Sequence, residues 1–100
     1  MNYIIITGIQ HYFGSEIFRP GQQLYLEKDP DNVQDEEAIR VVDSAGVTYG
    51  YVANSIHTVA RGCKSAGRVY DHFEQRISLQ VMFVLHQAVI ACMAKEDSVD

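Results

Sequence analysis

The chain is short of cations. Eight Lys and Arg stand against thirteen Asp and Glu, a net charge of −5 over 100 residues. Non-specific nucleic-acid binding rests on cations that neutralise phosphates, so the molecule as a whole does not attract polyanions, although a local basic or aromatic patch stays open. Cysteine is scarce too. Cys63 and Cys92 lie far apart in sequence with no CxxC pair, which fits two reduced thiols in a cytoplasmic protein. No apolar run reaches the ~20 residues of a membrane span; residues 77–94 come nearest and are interrupted by Ser78, Gln80, His86 and Gln87. The opening "MNYIIITG" is too short for a secretion signal and lacks its basic flank. Also missing are a Gly-rich phosphate loop, GxSxG and HExxH. His57 and Cys63 stand six apart, a poor spacing for sharing a helix face, so no metal and no cofactor are expected. No repeat, linker or low-complexity segment divides the chain. One non-enzymatic domain over residues 1–95 with an acidic tail at 96–100 is the expected organisation.

What the sequence does hold is a series of short strand-like runs. Residues 3–9 are Ile-rich and predict a first strand, mostly buried. Residues 22–28, "QQLYLEK", alternate, with Leu24 and Leu26 on one face and Tyr25 and Glu27 on the other. Residues 38–43 and 47–52 form the next two runs, joined by an "SAG" hairpin turn, and Gly50 inside the second suggests a bulge or a close backbone approach. Asn54 or Ser55 can cap a helix over 55–67, and a second turn or short helix is possible at 69–73. The near-continuous apolar runs 81–85 and 88–93 predict a last pair of strands, buried on both faces or closing a barrel. The predicted fold class is mainly β with one or two short helices, arranged as a small β-barrel.

Two stretches invite a functional reading. In "QHYFG", residues 10–14, the chain leaves the core, so at least two of the rings of His11, Tyr12 and Phe13 are expected to face outward, where flat faces can stack on bases. The competing expectation is that Tyr12 and Phe13 plug the barrel end. In "EKDPDNVQDEE", residues 27–37, a run of acids sits between two strands. The charges at 35–37 are the usual mark of a solvated turn, and residues 31–35 can hydrogen-bond their own backbone as a turn. Cys63 and Cys92 sit in apolar patterns that suggest inert core thiols.

Taken together, "TGIQHYFG", "GQQLYLEKDPDNVQDEEAIRVVDSAG" and "VTYGYVANSIHTVA" resemble the HIRAN domain family, with Leu26, Asp29, Pro30, Asn32, Asp35, Ala38, Ile39, Val41 and Gly50 in the family's order and spacing. The resemblance covers about residues 4–60. It implies an OB-like barrel and, by analogy with a member that acts in replication-fork processing and DNA repair, a pocket for the 3′ end of single-stranded DNA. Asp35 matches the carboxylate that accepts the 3′-hydroxyl hydrogen bond, Asn32 a polar neighbour, and Tyr12 the second of two adjacent aromatics. A terminal sugar offers a hydroxyl and no phosphate, so an acid can select it where an internal nucleotide would bring like charge. This chain departs from the pattern at several places. Gln10 and His11 replace an Arg and a Tyr, Gln34 a stacking Tyr, Tyr51 a His, and Asn54 a phosphate-contacting Lys. The implied site is therefore Gln10, His11, Tyr12, Asn32, Gln34, Asp35, Tyr51 and Asn54, with less charge than the family pattern carries. Two readings follow: a non-catalytic module for single-stranded DNA or another nucleic acid, or a barrel that has lost that role and serves a protein partner or self-association. The acidic balance favours the second. Neither involves a membrane.

Overall fold

The computed structural model describes residues 2–54 and 62–94. Six strands, β1 (Asn2–Thr7), β2 (Gln23–Lys28), β3 (Ile39–Val42), β4 (Thr48–Val52), β5 (Arg76–Val84) and β6 (Val89–Met93), close into a barrel in the order β1-β4-β3-β2-β5-β6. Every neighbouring pair is antiparallel. The expected mainly β barrel with short helical pieces is what forms.

Period-two patterning fills the interior. Ile4 and Ile6 from β1, Leu24 and Leu26 from β2, Ile39 and Val41 from β3, and Leu79 and Val81 from β5 are buried in one core cluster with Val89 and Ala91 of β6. β1 is largely buried, as expected, but stops at Thr7. Gly8 adopts φ 71°, a left-handed conformation that turns Ile9–His11 into a 3-10 turn instead of a further strand residue.

Two irregularities matter for which way side chains point. Opposite β3, the register passes from Val41–Gly50 to Val42–Thr48, so Tyr49 is the extra residue of a bulge. Gly50 is also a close approach. A Cβ there would lie 2.8 Å from the Thr7 carbonyl oxygen and 2.9 Å from Ile6 Cγ2. Both features suggested by that glycine are thus present. In β5 the register passes from Val81–Ala91 to Phe83–Ile90, leaving Met82 unpaired. Of the two expectations for this run, burial on both faces or closure of a barrel, the second is what forms. The extra residue resets the alternation, so Val84 turns inward while Phe83 is 58% exposed and Leu85 52%.

The helix anticipated over 55–67 needs correction. Its first part, 55–61, lies outside the described residues, and 62–65 are not helical. Gly62 takes φ 89°, which an α-helix does not accommodate, and Ser65 is extended, its hydroxyl accepting from the Arg68 amide. Ser65 therefore caps a one-turn helix, α1 (Ala66–Val69), followed by a 3-10 turn at Tyr70–His72 where a short second helix was anticipated. The tail at 96–100 also lies outside the described residues. No helix among the described residues is long and apolar enough to cross a membrane.

Candidate nucleic-acid interface

The 3-10 turn after β1 is stapled by backbone bonds from His11 to Gly8 and from Tyr12 and Gly14 to Ile9, while the buried Ile9 side chain anchors it to the core. Tyr12 is 43% exposed and Phe13 55%, so neither plugs the barrel. The two rings diverge. Phe13 packs edge-on against Tyr49 at 5.7 Å between centroids, whereas Tyr12 tilts toward Tyr51 at 6.4 Å.

The acidic loop 29–38 hydrogen-bonds its own backbone, as its composition predicts. Asn32 Oδ1 accepts from the amides of Gln34 (2.9 Å) and Asp35 (3.0 Å), and Asp35 Oδ1 accepts from that of Glu37 (2.9 Å). The Asp29 amide closes the loop onto the Ala38 carbonyl. This fixed shape turns Asn32, Gln34 and Asp35 to one side. They form, with Tyr12, Thr7 and the β4 exit at Tyr51 to Asn54, a cleft of about 470 Å³. Six of the eight residues singled out in the sequence thus meet in one place. Gln10 and His11, in the same turn as Tyr12, are exposed and do not line it.

Asp35 faces the cleft and is held there. Its Oδ2 accepts from Asn54 Nδ2 at 3.0 Å, and Asn54 Oδ1 in turn accepts from the Gly67 amide at 2.8 Å, tying the carboxylate to α1. Each carboxylate oxygen has two lone-pair sites, so Asp35 keeps acceptor capacity for an incoming hydroxyl. Asn54 thus orients the acid.

Sequence reading left Asp29 out of the site. Its Oδ2 accepts from the Tyr51 hydroxyl at 3.0 Å and from Asn32 Nδ2 at 3.3 Å, so one oxygen positions a ring on β4 and an amide in the loop. Burial first, then the hydrogen bond to Asp29, pushes the Tyr51 phenol up to about 12. Tyr51 therefore stays a neutral donor at physiological pH. Strand register was the available signal. Asp29 is one outward step beyond Glu27, Glu27 pairs with Arg40, and Arg40 pairs with Tyr51. The thiols are less hidden than their pattern suggested. Cys63 and Cys92 are both half-buried, and burial pushes the Cys63 thiol up, away from the reactive thiolate.

Among solved structures the chain is similar to the HIRAN domain of human HLTF, at 19% identity over 95% of this chain and 76% of that one, with a TM-score of 0.60. At that identity the likeness shows the fold, the OB-like barrel anticipated from the sequence. No curated protein matches. A HIRAN domain family profile matches residues 2–87, nearly the whole barrel, and the chain belongs to the HIRAN domain family.

Proposed function

We propose that the domain is a non-catalytic module that binds single-stranded DNA by its 3′-hydroxyl end, in the service of replication-fork processing or repair. The observation that carries this reading is the convergence of Asp35, Tyr12 and Tyr51 on one cleft, with the acid oriented by Asn54 and one ring by Asp29. Family membership supports nucleic-acid binding in general. In this reading Asp35 accepts the hydrogen bond of the terminal hydroxyl, and Asn32, Gln34 and Asn54 offer amide groups to the sugar and base edge. Gln10 and His11 act from outside the cleft, where the exposed imidazole adds a flat face. At 6.4 Å between centroids, the Tyr12 and Tyr51 rings are too close for a base to be sandwiched between them, so the terminal base stacks on the exposed face of Tyr12.

The test is low-salt fluorescence polarisation with single-stranded DNA ending in a 3′-hydroxyl or a 3′-phosphate. The hydroxyl end is expected to bind about tenfold or more tighter, because the phosphate places like charge against Asp35. Equal binding of the two ends excludes the mechanism. One observation favours a second reading, a protein-binding or self-associating barrel. Phe83 and Leu85 near the end of β5 are more than half exposed, at 58% and 52%. That reading predicts no oligonucleotide binding even at low salt and a sedimentation coefficient that rises with concentration.

A further inference from the structure

The row of outward side chains that includes Tyr51 continues beyond the cleft. Strand register sets Tyr51 opposite Arg40, Arg40 opposite Glu27, and Glu27 opposite Arg76, so β4, β3, β2 and β5 each present one side chain at the same level. Neighbouring strands lie about 4.8 Å apart, which puts Arg76 about 14 Å from Tyr51 across the sheet. Arg40 Nη2 donates to Glu27 Oε1 at 2.9 Å, and Arg76 Nε and Nη2 reach Glu27 Oε2 at 3.0 and 2.9 Å. One carboxylate thus holds two guanidinium groups, which remain about a third exposed, at 32% and 37%. The Nη1 of Arg76 meets no acceptor among the described residues, and its guanidinium lies 4.7 Å over the Tyr25 ring. At the far end is a groove of about 620 Å³ lined by Lys28, Tyr70 and Arg76 together with Glu27 and Glu74. Three of the chain's eight cations therefore lie along this row or at its far end, in a molecule whose net charge is −5.

We propose that this row is a second, phosphate-binding subsite: the segment of single-stranded DNA that precedes the bound end crosses β3 and β2 with its phosphodiesters on Arg40 and Arg76. The inference rests on the 3′-end reading above and extends it from a terminus to a path. Guanidinium groups suit phosphate oxygens because their planar donors can bind two at once. The Tyr25 ring, 4.7 Å away, gives the Arg76 guanidinium a second support besides Glu27. The ordinary alternative is that Glu27 and the two arginines only pin the register of three strands.

Fluorescence polarisation with 3′-hydroxyl trinucleotides and dodecanucleotides separates the two. Arg76→Gln is expected to weaken the dodecanucleotide about threefold at low salt, to leave the trinucleotide unchanged, and to lower the slope of log K against log salt by about 0.7. Glu27→Gln removes the negative charge that both guanidinium groups pair with, while Arg40 keeps its bond to the Thr48 hydroxyl, so it should tighten the dodecanucleotide more than Glu16→Gln, the same charge change on an exposed loop residue. A gain of binding cannot come from a misfolded variant. Equal loss for both lengths in Arg76→Gln, or equal behaviour of Glu27→Gln and Glu16→Gln, overturns the subsite. If 3′-phosphate and 3′-hydroxyl dodecanucleotides bind alike while Arg76→Gln still flattens the salt slope, the end reading fails and the phosphate path stands.

Discussion

Strand β4 carries two tyrosines that donate to aspartates, and the two pairs do opposite things. Tyr49 reaches Asp43 at 3.3 Å, six residues away, inside the β3–β4 hairpin. Tyr51 reaches Asp29 at 3.0 Å, twenty-two residues away, across two strands. The first pair completes a closed local turn. Asp43 Oδ1 already takes the amides of Ala45 and Val47, and these bonds, Val47 foremost, hold the carboxyl below its ordinary range. The second pair opens onto the cleft and orients a ring there. The acids of the two turns differ in the same way. Among the described residues the Asp43 carboxylate accepts three bonds, all within its own hairpin, whereas that of Asp35 accepts one from its own turn and one from distant Asn54 and keeps more acceptor capacity. A carboxylate satisfied by its own turn is architecture; one held by distant partners and facing a cleft is available to a ligand.

The largest effect that would break this comparison is on binding. Asp35→Ala should lower affinity for 3′-hydroxyl DNA by about tenfold to a hundredfold, the range for a hydrogen bond to a charged acceptor, while Asp43→Ala leaves affinity unchanged and lowers the melting temperature. Polarisation titrations beside thermal melts read both, and equal loss of affinity in the two variants would erase the distinction.

Next in size is Gly50, the hinge between the two tyrosines. Gly50→Ala drives a methyl against the Thr7 carbonyl and should destabilise by about 1–3 kcal/mol in urea unfolding, because backbone on the facing strand cannot step aside as a flexible side chain can. An unchanged midpoint would show that the two strands can part at no cost.

A smaller effect sharpens the pairing itself. In a double-mutant cycle, Asp29→Ala and Tyr51→Phe should show a coupling of about 1 kcal/mol in stability. Additive losses would mean that the hydrogen bond positions nothing.

The smallest effect lies at alkaline pH. The Tyr51 phenol is raised above its ordinary 10.0 to about 12. The folded state therefore holds its proton longer than the unfolded chain. Its contribution to stability is complete below pH 10 and is lost as pH rises toward 12. Tyr51→Phe should flatten part of that decline, with Tyr49, also raised, accounting for some of the remainder. Ultraviolet titration of tyrosinate absorbance in wild type and Asp29→Asn tests the cause, since the variant should ionise at lower pH.

Much of this was legible in the sequence, and the division follows range. The alternation in 22–28 gave β2 and its faces. The glycine at 50 pointed to a bulge or a tight approach, and both occur. The Asn32 turn was visible because its bonds span two or three residues. Asp29 as the anchor of Tyr51 was not visible, since the bond depends on which strands neighbour each other. The outward turn of Phe83 was hidden by a single unpaired residue, Met82, which no local pattern in that apolar run reveals. The position of α1 was missed for a related reason, as it depends on the left-handed Gly62 and on the Ser65 cap rather than on apolar spacing.

The join between β1 and β4 is short. These strands are matched only at Ile6–Val52 and Thr7–Tyr51, and earlier along β1 the Ile5 and Tyr3 carbonyls accept instead from the amides of Ala53 and Lys64, outside any strand. The seam thus ends at the cleft, with Thr7 and Tyr51 as its last stitch. A molecule lodged there touches both sides of the join at once and acts as a clasp, so occupancy should slow the breathing of the whole ring.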